Sequence, residues 1–108
     1  MNQLSIALAR FPYSNQIDYK IRPTLIISND HFNKFHSYYL TCPITSKTTL
    51  KEFELEIIKD DFTGQFKTKS FVRVDNISSM EKELFLKEIG KVTPQFFDKI
   101  KKEILKNM

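Results

Sequence analysis

Short segments of the chain alternate between apolar and polar residues with a period of two, which is the pattern of half-buried β-strands. The clearest case is the segment 52–57, where Phe53, Leu55 and Ile57 alternate with glutamates and give one apolar and one acidic face. Further strands are predicted by apolar or β-branched runs at 4–11, 23–28, 37–42 and 71–75.

Helical spacing occurs near the end of the chain, where Phe97, Ile100 and Ile104 recur every three or four residues. Thr93 followed by Pro94 is typical of an N-cap and a first helical residue. The sequence therefore predicts an amphipathic helix at the C-terminus.

The remaining segments complete the predicted architecture. A single helical turn is expected over 29–35, with Asn29 or Asp30 as its cap. The apolar residues of the segment 80–91 fit neither the helical nor the strand period, so the segment is assigned to neither, and Gly90 is expected to end it. Together these elements predict a mainly β fold: a small, strongly curved antiparallel sheet or barrel capped by the C-terminal helix.

Length and composition limit the class of protein. At 108 residues the chain is expected to form a single domain, 1–108. No apolar run approaches the roughly 20 residues that span a bilayer, and the N-terminus lacks a signal-peptide pattern, so we expect a cytoplasmic location and no membrane contact. The single cysteine, Cys42, cannot form an internal disulfide, and no spacing suits a metal, so Cys42 is expected to be a small buried hydrophobe.

The net charge of +4 is unevenly placed along the chain. Six basic residues and two acids precede Glu52, whereas eleven of each sign follow from that residue onward. A modest basic surface in the first half allows an anionic partner without requiring one.

Arginine is scarce, since only Arg10, Arg22 and Arg73 stand among 17 basic residues. A planar, permanently charged, multi-donor group suits a phosphate, although an isolated arginine is about as often a surface ion pair. Arg22 opens the second predicted strand and Thr45 follows the third, so both are expected at neighbouring strand ends. His31 and His36 are given no catalytic role. Candidate base-stacking or core aromatics are Tyr13, Tyr19 and Phe35.

Five short strings occur together in one order. The chain resembles the MazF/PemK/Kid toxins of bacterial toxin–antitoxin systems in the order and spacing of these strings, from about Ile6 to the final helix. The strings are Phe11-Pro12-Tyr13, Lys20-x-Arg22-Pro23-x-Leu25-Ile26-Ile27-Ser28, His31-Phe32-Asn33-Lys34, Pro43-Ile44-Thr45-Ser46 and Ser70-x-Val72-Arg73-x-Asp75.

The resemblance implies an SH3-like β-barrel, a symmetric homodimer and metal-independent endoribonuclease activity on single-stranded RNA, with no cofactor. It places the catalytic functions on Arg22, Thr45, Arg73 and Asp75. The expected RNA contacts around them are Gln16, Lys20, Ser46, Lys47 and Ser70. Gln16 stands near the position where some members have a mechanistic histidine, and a glutamine cannot exchange protons at neutral pH.

The leading hypothesis is a sequence-selective RNase toxin that is countered by a cognate antitoxin peptide and that reaches operator DNA through the antitoxin complex. One alternative is a non-catalytic toxin similar to CcdB, which binds and poisons DNA gyrase, because one fold can serve both activities. A second alternative is a non-toxic nucleic-acid-binding regulator, which would bind in a salt-sensitive way without turnover.

Overall fold

The described chain is mainly antiparallel β-sheet with a helix at its C-terminus, which confirms the predicted fold class. The computed structural model describes residues 1–12, 18–47, 51–64, 66 and 68–108. The elements are β1 (Ser5–Pro12), β2 (Tyr19–Ile26), α1 (Asp30–Phe35), β3 (Tyr38–Thr45), β4 (Glu54–Ile57), β5 (Phe62–Thr63), β6 (Ser70–Arg73), β7 (Ser78–Glu81), β8 (Phe85–Val92) and α2 (Pro94–Lys106).

The strands pair in the order β4-β6-β3-β2-β1-β8-β5, with β7 added alongside β3. Every pair is antiparallel. Over the described residues β4 and β5 are not paired, yet Ile57 of β4 and Phe62 of β5 line one cavity. The two ends of the sheet therefore approach each other, as in a barrel.

The curved sheet encloses two groups of buried side chains, and β1 contributes to both of them. Ile6 belongs to a cluster with the helix residue Ile100, whereas Ala7 and Ala9 face the second cluster around Tyr39. Ile100 is fully buried, and burial of a side chain of that size contributes about 1.5–3 kcal/mol. The helix thus packs its apolar face against the first of these clusters.

Both predicted helix starts are confirmed. The Thr93 hydroxyl accepts a hydrogen bond from the Phe96 amide at 3.1 Å, and Pro94 is the first residue of α2. The Asn29 side chain accepts one from the Phe32 amide at 2.8 Å and caps α1. In both cases a side-chain oxygen satisfies an amide that the first helical turn leaves without a partner.

The strand end expected after Cys42 and the element end expected at Gly90 are both wrong. β3 continues through Pro43 to Thr45, because the residues on either side of the proline keep their partners: Cys42 pairs with Leu25 and Ile44 with Val72. Gly90 does not end the 80–91 segment.

Gly90 lies inside β8, where a Cβ atom would stand 2.0 Å from the carbonyl oxygen of Thr63. The glycine allows β5 to approach β8 closely. The open segment 80–91 is resolved as the end of β7, a single 3₁₀ turn at Lys82–Leu84 and most of β8.

Candidate functional site

Arg22 and Thr45 lie near the ends of two neighbouring strands. The antiparallel pairing of β2 with β3 ends at Thr24 and Pro43, and Arg22 and Thr45 each lie two residues beyond that last pair. The first predicted pair of site residues is therefore brought together, and both side chains line one cavity.

That cavity, called here the Arg22 cavity, has a volume of about 310 Å³. Two cationic side chains and four hydroxyls line it, and none of its described lining residues carries a carboxylate. The lining residues are Lys20, Arg22, Pro23, Ile44, Thr45, Ser46, Phe66, Thr68 and Ser70. Cations and hydroxyl donors without a competing acid suit an anion such as a phosphate.

The polar groups of this cavity differ in how firmly they are held. Within the described residues Lys20 and Arg22 form no ion pair, and both are exposed. The Thr45 hydroxyl accepts a hydrogen bond from the Lys47 amide at 3.2 Å, which fixes the turn that follows β3. Ser70 is buried, and its hydroxyl donates to the Thr68 carbonyl at 3.2 Å. The two cations are therefore available to bind a ligand, whereas local hydrogen bonds fix the positions of the Thr45 and Ser70 hydroxyls.

Of the predicted RNA contacts, Lys20, Ser46 and Ser70 line the Arg22 cavity. Lys47 does not line it and contributes through its backbone to the position of Thr45. Gln16 lies outside the described residues.

Arg73 and Asp75 form a separate pair. The Arg73 guanidinium donates two hydrogen bonds to the Asp75 carboxylate, Nε to Oδ1 at 2.9 Å and Nη2 to Oδ2 at 2.9 Å. This contact raises the pKa of Arg73 and lowers the pKa of Asp75. The expectation that the two side chains lie side by side is confirmed, and each satisfies the charge of the other. The predicted strand is too long, because β6 ends at Arg73 and Asp75 lies in the turn that follows.

Arg73 lies on the same face of the sheet as Thr45, and the Arg73–Asp75 pair lies outside the Arg22 cavity. Thr45 pairs with Phe71, and Arg73 follows two residues later, about 7 Å along the strand. Asp75 lines a different depression beside Ile104 of α2. The four predicted catalytic residues thus fall into two neighbouring groups within this chain.

Glu54 corrects the prediction of a purely acidic outer face on β4. It pairs with Arg73 across β4 and β6 and is 8% exposed, whereas Glu56 remains exposed. Its charge contributes to the raised pKa of Arg73. A cation on the neighbouring strand therefore lies opposite this buried carboxylate.

Cys42 is fully buried, as expected, and burial together with the nearby Asp75 charge raises the pKa of its thiol to about 12. Such a thiol stays protonated and unreactive at neutral pH. His31 packs against Phe35, and His36 stacks on Phe32. Across the described ranges no group of three or more His, Cys, Asp or Glu residues is placed to hold a metal ion.

Sequence reasoning missed Phe66 and Thr68, which line the Arg22 cavity from the segment between β5 and β6. The available signal was the string Phe-Lys-Thr-Lys-Ser over 66–70, an aromatic followed by alternating basic and hydroxyl residues. The aromatic candidates Tyr19 and Phe35 are exposed and do not line the cavity, and Tyr13 lies outside the described residues.

The fold and the site define a class: a small antiparallel β protein with a C-terminal helix that presents a cationic, hydroxyl-lined cavity at the ends of two strands. The sequence model of the PemK-like, MazF-like toxins of type II toxin–antitoxin systems matches residues 2–108. The chain therefore belongs to this toxin family, as the ordered strings indicated.

Several solved structures share the fold at low sequence identity. A mycobacterial endoribonuclease in complex with its cognate antitoxin is 19% identical with a TM-score of 0.77, over 98% of this chain and 92% of that one. The Mycobacterium tuberculosis toxin MazF-mt6 is 18% identical with a TM-score of 0.74, over 95% and 93%. The MazE-MazF complex (form II) of Deinococcus radiodurans is 16% identical with a TM-score of 0.79, over 100% of this chain and 96% of that one.

No curated protein matches this chain in sequence. Among the described residues, neither helix has the length and apolar character needed to cross a membrane.

Proposed function

We propose that the chain is a sequence-selective endoribonuclease toxin that cleaves single-stranded RNA without a metal ion. The observation that carries the proposal is the Arg22 cavity, where two cations and four hydroxyls converge and the described lining contains no carboxylate. Family membership adds support, since the mycobacterial neighbour is itself named an endoribonuclease.

The proposed reaction uses the nucleophile that RNA carries. The 2′-oxygen attacks the adjacent phosphorus and forms the 2′,3′-cyclic phosphate, the bond from phosphorus to the 5′-oxygen breaks, and the proton lost by the 2′-hydroxyl is balanced by one gained at the 5′-oxygen. Such a step needs a base, stabilisation of the leaving oxygen and donors for the phosphate.

In this proposal Arg22 and Thr45 bind the phosphate, Asp75 accepts the proton, and Arg73 stabilises charge on the leaving oxygen. RNA would have to extend along the sheet face from Thr45 past Phe71 to reach the Arg73–Asp75 pair. A phosphate that takes up the donors of Arg73 would also free Asp75 and strengthen it as a base, because the hydrogen bonds from Arg73 are what lower its pKa.

The proposed partners follow from the same surface. An acidic, largely disordered antitoxin segment would compete with RNA for the cationic Arg22 cavity. Two of the structural neighbours are complexes of a toxin with its antitoxin. We also propose a homodimer, and contact with operator DNA through the antitoxin complex.

The test is incubation of the purified chain with a long RNA in EDTA, followed by mapping of the new 5′ ends. We expect discrete cuts with 5′-hydroxyl termini. The double variant Arg22→Ala, Thr45→Ala should lower kcat/KM by at least about 10²-fold, because two donors to the phosphate are lost. Arg10→Ala is the matched control, because this exposed arginine does not line the cavity.

Cleavage that persists undiminished in the double variant would show that the site assignment is wrong. Intact RNA together with growth arrest on expression would favour the gyrase-binding alternative, and salt-sensitive RNA binding without products would favour a regulator.

A further inference from the structure

A second cavity opens next to the Arg22 cavity and has a volume of about 390 Å³. Phe66 and Thr68 line both cavities, so the two are adjacent. The lining residues of this second cavity, called here the Phe62–Phe66 cavity, are Ile57, Lys59, Phe62, Gly64, Phe66 and Thr68. Its volume falls within the range of about 300–1,000 Å³ that is usual for small-molecule sites.

Two aromatic rings form its wall. The centroids of Phe62 and Phe66 are 4.9 Å apart and their planes are inclined by 34°. Both side chains pack against the main core cluster and are only partly buried, so their remaining surface is open to the cavity. Lys59 is exposed and is the one charged group among the described lining residues.

The chain's only two glycines hold this wall in place. Gly64 has a φ of +127°, a conformation that side chains rarely adopt, and a Cβ there would lie 2.6 Å from the Ile89 carbonyl oxygen. Gly90 lies at the same contact and lets the Thr63 carbonyl oxygen approach β8. The segment that carries both rings therefore lies close to β8, with close backbone contacts at Gly64 and at Gly90.

We propose that the Phe62–Phe66 cavity is a base-stacking subsite, which takes the nucleobase of a nucleotide whose phosphate occupies the Arg22 cavity. This inference rests on the proposed function and deepens it. An aromatic wall, an adjoining phosphate site and a lysine at the rim match how single-stranded nucleic acid is bound. Phe66 faces both cavities and is the residue that joins base binding to phosphate binding.

The chain contains no tryptophan, so Phe66→Trp introduces a single fluorescent reporter with no background from other tryptophans. The probe is a random-sequence 2′-O-methyl octanucleotide carrying a fluorescein label, which binds like RNA but lacks a free 2′-hydroxyl to attack. Its anisotropy reports binding and the tryptophan emission reports stacking. Phe35→Trp is the matched control, because Phe35 is 68% exposed and lines neither cavity.

We expect the oligonucleotide to quench the tryptophan emission of the Phe66→Trp variant and to leave the emission of the Phe35→Trp variant unchanged. We also expect Phe66→Ala to weaken binding by roughly 5- to 150-fold, the usual loss when one stacking aromatic is removed, while Phe35→Ala keeps the wild-type affinity. Thermal unfolding of each variant separates lost binding from lost folding.

The outcomes distinguish the subsite from the RNase activity. Binding by anisotropy with no quenching in the Phe66→Trp variant, and with wild-type affinity in Phe66→Ala, would overturn the subsite while RNA cleavage by the wild type still upheld the proposed function. Absence of oligonucleotide binding to the wild type would overturn the subsite as well, and the cleavage assay in EDTA would then decide the function separately.

Discussion

The two groups of predicted catalytic residues are neighbours along the sheet but differ in how their charges are satisfied. In the Arg22 cavity the described cations have no ion-pair partner and the described lining has no acid. In the Arg73–Asp75 pair a guanidinium and a carboxylate are joined by two hydrogen bonds of 2.9 Å. The first group needs an external anion to balance it, whereas the second is already balanced.

This difference assigns different work to each group. Free cations at the surface attract and position a polyanion, and their contribution falls as salt rises. An ion pair whose charges are already balanced attracts RNA only weakly. It does keep the Asp75 carboxylate next to the Arg73 guanidinium, and an RNA phosphate can replace that carboxylate as the acceptor of the Arg73 hydrogen bonds. The Arg22 cavity therefore suits binding, and the Arg73–Asp75 pair suits the chemical step.

The strongest test of this division is Asp75→Asn, which keeps the shape of the side chain and removes the base. We expect kcat for RNA cleavage to fall by about 10²–10⁴-fold, the range for loss of a general base, with KM little changed. Arg22→Ala should instead raise KM and weaken the salt dependence of binding. Single-turnover cleavage of a labelled RNA over a range of enzyme concentrations measures both.

Asp98→Asn is the matched control, because Asp98 forms the other ion pair of the described chain, with Lys101 on α2 at 3.2 Å. It should cleave like the wild type. If Asp75→Asn changes only KM, or changes nothing, the Arg73–Asp75 pair is structural and the division between the two groups fails.

A smaller effect is expected from Gly90→Ala, which tests whether oligonucleotide binding at the two cavities depends on the close approach of β5 to β8. The new Cβ would stand 2.0 Å from the Thr63 carbonyl oxygen, so the backbone must shift. We expect a loss of about 1–3 kcal/mol in the free energy of unfolding, as for overpacking elsewhere, and weaker oligonucleotide binding.

The bidentate contact of Arg73 with Asp75 lies on β6 and the turn after it, so Gly90→Ala should leave kcat at saturating RNA unchanged. Urea unfolding and titration with the 2′-O-methyl octanucleotide measure the effects on stability and binding. Lys87→Ala, an exposed substitution in the same strand, is the control. A Gly90→Ala protein as stable and as tightly binding as the wild type would show that this approach is not required.

Local signals predicted the helices and part of the site. Thr93 and Asn29 cap their helices through contacts three residues away, so short-range patterns were sufficient. Arg22 and Thr45 were expected at neighbouring strand ends because both flank predicted strands. These features depend on residues close in sequence or on the simplest pairing of successive strands.

The rest depended on contacts between distant parts of the chain. Phe66 reaches the cavity because β5 packs on β8, a contact that joins Gly64 to Gly90. Glu54 is buried and has Arg73 of β6 opposite it, whereas Glu56, with Phe71 opposite, is exposed. Neither arrangement leaves a periodic trace in the sequence, since each is decided by which strands become neighbours in the folded sheet.

The smallest expected effect is the contribution of the Arg73–Asp75 pair to stability. Both side chains are about a quarter exposed, and pairs of this kind contribute about 0–1 kcal/mol. Because the hydrogen bonds from Arg73 lower the pKa of Asp75 in the folded chain, the stabilisation is fully present above the unfolded value of about 3.9 and is lost as the pH falls through the lower, folded value.

The difference in unfolding free energy between wild type and Asp75→Asn should therefore be small near neutral pH and should disappear in acid. Urea unfolding of both proteins, at neutral pH and at a series of values below about 3.9, measures it. A difference that grows toward acid would mean that Asp75 is stabilised when protonated. Arg73 would then not keep Asp75 ionised, and Asp75 could not be assigned as the base. The contrast with the unpaired cations of the Arg22 cavity would then no longer separate binding from the chemical step.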